Sequence, residues 1–250
     1  MRGLLFFITL TMAFAACNNN NKTAREQQDS IRIHQTAPGQ TTKLAGTYQG
    51  TLPCADCPGI DYQISLYDDH TYSELTAYQG RGENIATVET GTWRAVNDSI
   101  AMLEKKNDSV SFVAAENKLI LLDKAGKRIE GMLASNYILK PVEGGDRRQL
   151  LADKKTQGVT FYANGNEPFW QLELDKKNIR FKTPGGDSIY TPLPAPALNT
   201  DSLKVYKGKG ITIHIRPTAC ADDMTGYMRP NTVQLQVGDK TYSGCGEFIK

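Results

Sequence analysis

The sequence lacks an excess of charge of either sign. It carries 29 lysines and arginines against 27 aspartates and glutamates, for a formal net charge of +2. Proteins that bind nucleic acid usually present a basic surface, so this balance argues against such a partner. Histidine is scarce, with three in 250 residues, and no nucleophile motif frames any of them. We therefore predict that the protein is not an enzyme.

Long helical patterns are also missing, because no extended stretch repeats its apolar residues at the helical period. Bulky and β-branched residues instead alternate with polar ones, as in DYQISLY, and turn signals recur between such segments. This pattern predicts an all-β protein with two domains, an antiparallel barrel over residues 43–140 and a second small β-sandwich or barrel over 158–250. Residues 141–157 are charged and contain Gly-Gly, which indicates a linker with at most one helical turn.

The N-terminal segment MRGLLFFITLTMAFAAC contains the apolar run that is a candidate for a membrane-associated segment. It has one basic residue, then the apolar run, then small residues before Cys17. The run is too short for a permanent transmembrane helix and fits a secretory signal peptide over residues 1–16. The ending FAAC resembles a bacterial lipobox, which implies that Cys17 is lipidated and becomes the mature N-terminus.

Residues 17–42 are polar and lack aromatic side chains, so we predict a disordered tether. A flexible chain of this length has a root-mean-square reach of roughly 25–30 Å. Asn18 follows the expected lipid site, and no acidic run comes after it. By analogy with lipoprotein sorting, these features favour anchoring at the outer membrane on its periplasmic face, with the cell surface as the alternative.

Four cysteines remain once Cys17 is assigned to the lipid. An even number of cysteines in an exported protein suggests disulfides. Three pairings can be drawn, and the domain organisation favours Cys54–Cys57 and Cys220–Cys245, because each pair lies within one predicted domain.

The two bridges are expected to differ in strength. Closing the chain from residue 220 to 245 stabilises by roughly 3.5 kcal/mol in the chain-entropy model, against roughly 2 kcal/mol for residues 54 to 57. Cys220–Cys245 is therefore predicted to be a structural staple. Cys54–Cys57 is the weaker staple and the better candidate for a redox or metal role.

The residues around Cys54 resemble a known family signature. The positions of this signature are Gly46, Tyr48, Gly50, Leu52, Pro53, Cys54, Ala55, Asp56, Cys57, Gly59 and Ile60. The later Gly91-Thr92-Trp93 also fits. In these residues the first predicted domain is similar to the N-terminal domain of the NlpE family, outer-membrane lipoproteins tied to copper tolerance and to activation of envelope-stress signalling. The resemblance implies a small lipocalin-like barrel with the C-x-x-C at its first hairpin.

The second half resembles an uncharacterised envelope lipoprotein domain, not the oligonucleotide-binding-type barrel of the best-known NlpE members. Its pattern begins with GNEPFW at residues 165–170 and ends with GCG around Cys245. This resemblance brings no activity with it. It supports the staple interpretation of Cys220 and Cys245.

Cys54 and Cys57 could form a disulfide that pins the turn, a reversible redox pair, or a Cu(I) site, since soft thiolates suit Cu(I). Two thiolates do not complete a zinc site. Asp56 is expected to form the turn and not to face the same ion as both thiols. A thioredoxin-like catalytic role needs a helix N-terminus at the first cysteine, which the pattern does not provide.

Two further positions have a structural and a functional interpretation. Trp170 after Glu167 is expected to be a core anchor following a turn; the alternative is a ligand pocket lined by Glu167 and Trp170. Met224 is expected to pack inward in a loop held by Cys220, and the alternative is a second Cu(I) ligand.

The function predicted from the sequence is that of an outer-membrane-tethered lipoprotein contributing to copper or redox tolerance, or to sensing envelope stress, through Cys54 and Cys57. Its partners would be the membrane, through the lipid, and an envelope signalling protein, and copper is the one cofactor considered. The alternatives are a small-ligand-binding module, a passive structural lipoprotein and a periplasmic copper carrier.

Overall fold

The computed structural model describes residues 44–80, 84–106 and 108–250 of the chain. The expected signal peptide, the tether and Cys17 lie outside the described residues. Two large antiparallel sheets dominate the described part, so the predicted all-β fold is confirmed. Among these residues, no helix combines the length and the apolar character needed to cross a membrane.

The first sheet is a closed barrel of eight strands in sequence order. It closes where the first strand pairs with the eighth, with Thr47 opposite Val142. A short 3-10 helix, Ala134–Tyr137, precedes the eighth strand. The strands are β1 Gly46–Leu52, β2 Ile60–Leu66, β3 Thr71–Tyr78, β4 Ala86–Asn97, β5 Ile100–Glu104, β6 Ser109–Ala115, β7 Lys118–Leu121 and β8 Ile138–Val142.

The barrel interior follows from the period-two alternation of each strand. On β2, Tyr62, Ile64 and Leu66 point inward and are buried in one cluster with residues from the other strands. The interior also holds a charged group, Glu74, which accepts a 2.5 Å hydrogen bond from the Tyr62 hydroxyl and pairs with Lys105. These partners offset the cost of burying a carboxylate.

The second sheet has nine strands in the order β12-β11-β10-β9-β19-β18-β15-β14-β13. A separate two-stranded ribbon pairs β16 with β17. The strands are β9 Val159–Asn166, β10 Phe169–Asp175, β11 Asn178–Lys182, β12 Ser188–Pro192, β13 Leu198–Asn199, β14 Lys204–Gly208, β15 Ile211–Arg216, β16 Cys220–Ala221, β17 Met228–Arg229, β18 Asn231–Val237 and β19 Lys240–Phe248.

This second sheet curls around a single apolar core. Gly208 on β14 lies so close to β11 that an added Cβ would sit 2.8 Å from Ile179 Cδ1, although several strands separate the two in the sheet order. Trp170, Phe181 and Ile213, from three different strands, share the core. We call this sheet the half-barrel.

One helix, α1 (Arg148–Thr156), connects the barrel to the half-barrel. It is longer than the single turn predicted for residues 141–157. Lys154 in its last turn donates to Glu173 on β10 at 2.7 Å, and Glu173 also pairs with Arg180 on β11. The pair between Lys154 and Glu173 holds α1 against the outer face of the half-barrel.

Candidate functional site

The loop between β1 and β2 carries a disulfide at the surface. Cys54 and Cys57 are bonded to each other, with a Cα–Cα distance of 5.2 Å. Both cysteines are partly exposed, and Ala55, Asp56 and Pro58 are exposed. A solvent-accessible disulfide can be reached by an external thiol, which is the first requirement for a reversible redox pair.

A buried glycine fixes the path of this loop. Gly59 is enclosed, and a Cβ there would lie 2.5 Å from Thr51 Cγ2. Only glycine therefore lets the chain leave the loop against β1 and start β2 at Ile60. The tight return brings Pro58 beside the β3–β4 hairpin, where an added Cβ on Gly80 would lie 3.0 Å from Pro58 Cδ.

Asp56 lies with the two sulfurs, contrary to the expectation from the sequence. Its Oδ1 is 3.5 Å from Cys54 Sγ, and the ligand atoms of Cys54, Asp56 and Cys57 lie within 4.8 Å of one another. The sequence predicted that Asp56 would form the turn and would not face one ion together with both thiols, whereas its carboxylate lies within reach of both sulfurs. Sulfurs bonded to each other are not thiolates, so a soft metal could use this set only after reduction.

Backbone hydrogen bonds continue from the disulfide loop into the next hairpin. The Gln79 N–H donates to the Gly59 carbonyl at 2.9 Å, and Gln79 Nε2 donates to Asp61 Oδ1 at 2.6 Å. Two residues before Gln79, Ala77 pairs with Ala86 across β3 and β4. The loop is thereby attached to the start of β4.

The start of β4 is also where the barrel pairs with the half-barrel. The Ala86 N–H donates to the Pro217 carbonyl at 2.8 Å, and Ile85 forms an isolated antiparallel bridge with Thr218. The contact extends to Ala219, whose N–H donates to the Asn84 carbonyl at 3.4 Å and which precedes Cys220. We call Ile85, Ala86, Pro217 and Thr218 the junction.

The second disulfide begins directly after the junction. Cys220 on β16 is bonded to Cys245 on β19, with a Cα–Cα distance of 5.4 Å. Cys245 is buried in the half-barrel. The bond therefore ties the chain leaving the junction to a central strand of the half-barrel.

Residues 222–228, which we call the docking loop, lie against the outer wall of the barrel. Gln63 on β2 is buried there, donating to the Met228 carbonyl at 3.1 Å and accepting from the Met228 N–H at 2.8 Å. Gln49 on β1 donates to the Gly226 carbonyl at 2.9 Å. Asp222 shapes the loop, since its Oδ1 accepts from the Met224 N–H.

Met224 does not pack inward as expected, because its side chain is 71% exposed at the tip of the docking loop. The loop turns its backbone and not this side chain towards the barrel. No cysteine, histidine or carboxylate cluster that could hold a metal includes residues beside Met224 in the part of the chain that is described.

Trp170 and Glu167 line two neighbouring cavities and do not share one. Trp170 is 1% exposed and donates from Nε1 to the Ser243 carbonyl at 3.1 Å. Glu167 lines a cavity that also includes Lys240, whereas Trp170 lines the adjacent one with Arg147. The indole fills the core of the half-barrel and presents one edge to its cavity.

Sequence reasoning missed the junction and the docking contacts. Gln49 and Gln63 lie at outward-facing positions of strands whose side chains alternate between the two faces. From a single sequence, a polar residue at such a position is predicted to be exposed to water. Pairing at Ile85 and Thr218 joins residues far apart in the chain. The one weak signal in the sequence is Gln63, a glutamine between apolar residues on β2, and by itself this signal does not identify a partner.

Together these features define a class of protein, a β-barrel with an exposed disulfide loop joined to a disulfide-stapled half-barrel. Residues 48–132 match the family described as the NlpE N-terminal domain. The 17 kDa lipoprotein of Treponema pallidum is 32% identical over 106 residues, which cover 38% of this chain and 68% of that protein. The chain belongs to the NlpE family.

Escherichia coli NlpE was matched both by its sequence and by its crystal structure. Lipoprotein NlpE of strain K12 is 30% identical over 162 residues, which are 64% of each chain. The match therefore spans slightly less than two thirds of that protein's length. The crystal structure of the Cpx pathway activator NlpE from Escherichia coli is 18% identical, with 82% of this chain and 95% of that chain covered and a TM-score of 0.32.

Proposed function

We propose that this protein is a lipid-anchored envelope sensor, not an enzyme, in which the Cys54–Cys57 disulfide reports thiol redox state. The observation that carries the proposal is the position of the disulfide loop, one hydrogen bond from the hairpin that forms the junction. A purely local staple would not need this connection. The names of the relatives, a lipoprotein NlpE that activates the Cpx pathway and a 17 kDa lipoprotein, support the envelope setting.

The anchor is proposed to be a lipid on Cys17, at the periplasmic face of the outer membrane. The polar residues 18–42 would place the barrel beyond the lipid headgroups. The described domains then meet partners in solution within the envelope, and the partner in signalling is proposed to be an envelope protein that recognises the barrel wall.

Reduction is the proposed switching step. A dithiol reductant attacks one sulfur, and the S–S bond accepts two electrons and two protons to give two thiols while the reductant becomes a disulfide. The loop between β1 and β2 then regains conformational freedom that the bond had removed. Because Gly59 holds Gln79, added motion of the loop weakens the pairing of β3 with β4 at Ala86. The junction loosens and the docking loop can separate from Gln63.

Copper would act through the same pair of cysteines. In the oxidised state the two sulfurs are bonded to each other and are not thiolates. Direct Cu(I) ligation therefore requires the reduced state, with Asp56 as a third donor. Cu(II) would instead restore the disulfide, because two Cu(II) ions each take one electron from the dithiol and become Cu(I), and the two thiol protons are released to water. Both routes make the output depend on Cys54 and Cys57 and on no other described cysteine.

The test is a strain in which the native gene is replaced by the double variant Cys54→Ser/Cys57→Ser. We expect altered output of an envelope-stress reporter and altered copper sensitivity, at a protein level matched by immunoblot. Ala55→Ser, in the same exposed loop with both cysteines kept, is the matched control and should behave as wild type.

Reporter output and copper sensitivity that both stay at wild-type levels in the double variant would refute the sensing role of the disulfide. They would favour a passive structural lipoprotein, whose deletion gives only a diffuse envelope defect. Cys17→Ser tests the anchor separately, since it should release the protein from the membrane fraction.

A further inference from the structure

The half-barrel contains a cavity that is remote in sequence from the disulfide loop and carries an excess of positive charge. Its volume is about 510 Å³, within the usual range for a small-molecule site. It lies between the segment before α1 and the outer edges of β9, β10 and β11. Six of the residues that line it are Arg147, Tyr162, Asn164, Phe169, Trp170 and Lys182.

Two cations and no acid line this cavity, and the one acid that pairs with them, Glu247 with Arg147, lies behind it. Arg147 and Lys182 are among its lining residues, and no aspartate or glutamate is. Lys182 is exposed and forms no ion pair with any residue that the structure describes. The nearby Glu173 does not compensate them, because it already pairs with Lys154 and Arg180.

Behind the cavity two arginines share one carboxylate. Glu247 Oε1 lies 3.0 Å from Arg147 Nε and 3.4 Å from Arg229 Nε. Arg229 is 1% exposed, and burial lowers its pKa to about 10. A second negative charge close by would therefore be favourable in this low-dielectric setting.

An arginine at the cavity also has a buried hydrogen-bond donor without a partner among the described residues. This donor is Arg147 Nη2. Asn164, which also lines the cavity, accepts from Arg229 Nη1 at 2.6 Å through its Oδ1. Buried donors without partners are costly and are usually satisfied by a ligand or by water.

The walls are aromatic. The ring of Tyr162 has three cations around it, with Arg147, Lys154 and Arg229 each within 6 Å of its centroid. Phe169 also lines the cavity and is 53% exposed, so its ring is accessible to an apolar group bound there. A ligand here would have a flat apolar body and an acidic group.

We propose that this cavity binds a small aromatic or apolar carboxylate, with the acid at Arg147 and Lys182 and the body against Phe169 and the edge of Trp170. The neighbouring cavity differs, since it contains Glu167 and Asp187 as well as Lys240. The proposal is independent of the redox state of Cys54 and Cys57.

The test compares 2-naphthoate with its neutral analogue 2-naphthamide. The protein is the full chain carrying Cys17→Ser, so that no lipid or detergent competes with the probe. Binding is followed by the indole N–H resonances of the two tryptophans. We expect saturable shifts of the Trp170 resonance with naphthoate and none at Trp93 in the barrel. Naphthamide should bind at least ten-fold more weakly.

Charge and wall variants complete the experiment. Lys182→Gln should weaken naphthoate binding by roughly two- to five-fold, as expected for one partly screened ion pair, and leave naphthamide unaffected. Lys207→Gln, an exposed lysine on β14, is the control and should change neither. Equal affinity for the acid and the amide, or no saturable shift of Trp170, would overturn the proposal.

Discussion

Gln63 is a polar residue that holds two parts of the molecule together. Its side-chain amide donates one hydrogen bond to the Met228 carbonyl and accepts one from the Met228 N–H, as the backbone of a neighbouring strand would. A glutamine on the outer wall of a barrel is normally solvated, and here it is 3% exposed. The docking contact is therefore specified by backbone hydrogen bonds that a buried amide satisfies.

Gln63→Leu is expected to destabilise the protein by about 1–3 kcal/mol, because it leaves the Met228 N–H and carbonyl buried without partners. The measurement is the free energy of unfolding in urea. Gln234→Leu makes the same chemical change at an exposed position on β18 and should cost little. Equal effects of the two substitutions would show that the docking contact contributes nothing.

Gly165 opens the GNEPFW segment because the indole of Trp170 needs its space. A Cβ at this position would lie 2.3 Å from Trp170 Nε1 and 2.4 Å from the Ser243 carbonyl. Gly165→Ala should cost at least about 1–3 kcal/mol and should change the near-ultraviolet circular dichroism. Gly185→Ala, whose nearest neighbouring atom would be 3.9 Å away, is the control. A stable Gly165→Ala protein with an unchanged spectrum would contradict this account of the core.

At the scale of elements, the docking loop depends on one carboxylate. Burial raises the pKa of Asp222, but hydrogen bonds from the Thr225 and Met224 backbone and from side chains outweigh it and hold the pKa below 3.8. The folded state thus favours the ionised form. The stability that Asp222 contributes is full above its unfolded pKa and is lost as the pH falls through the lower folded pKa.

Asp222→Asn should therefore lose less stability than wild type between about pH 5 and about pH 3, because asparagine does not titrate. Urea midpoints across this range measure the difference. Asp223→Asn, at the exposed neighbouring position, should follow the wild-type curve. A wild-type curve that is parallel to that of Asp222→Asn would remove this carboxylate from the stability of the loop.

Much of the secondary structure could be predicted from local patterns. Alternation on β2 indicated the buried face of Tyr62, Ile64 and Leu66. The length of α1 was underestimated, because the contacts of its nine residues include long-range ion pairs, from Lys154 to Glu173 on β10 and from Arg148 to Asp69 in the barrel. Contacts of this kind do not appear in a local apolar period.

Only part of the candidate site could be predicted from the sequence. The predicted domain organisation favoured the Cys54–Cys57 pairing, and the structure forms that bond. The junction was not predicted, since Ala86 and Pro217 meet through long-range pairing of backbone atoms. Side-chain identity carries no signal for a backbone hydrogen bond between segments more than a hundred residues apart.

At the scale of the whole molecule, the two disulfides lie on one continuous path. It runs from Cys57 through the Gly59–Gln79 hydrogen bond and the pairing of Ala77 with Ala86 to the junction, and then to Cys220. The end at Cys220 is fixed to the half-barrel. The end at Cys57 is exposed and reducible, so a change there can alter how tightly barrel and half-barrel hold together.

The most direct test is amide hydrogen exchange at Ala86, whose N–H donates to Pro217 across the junction. In Cys54→Ser/Cys57→Ser we expect this amide to exchange about ten-fold faster, given the roughly 2 kcal/mol that closing a four-residue loop supplies. The Leu172 amide in the half-barrel and the Ala55→Ser control should keep wild-type exchange. If the Ala86 amide exchanges at the same rate with and without the disulfide, the bond is not coupled to the junction and the central claim is wrong.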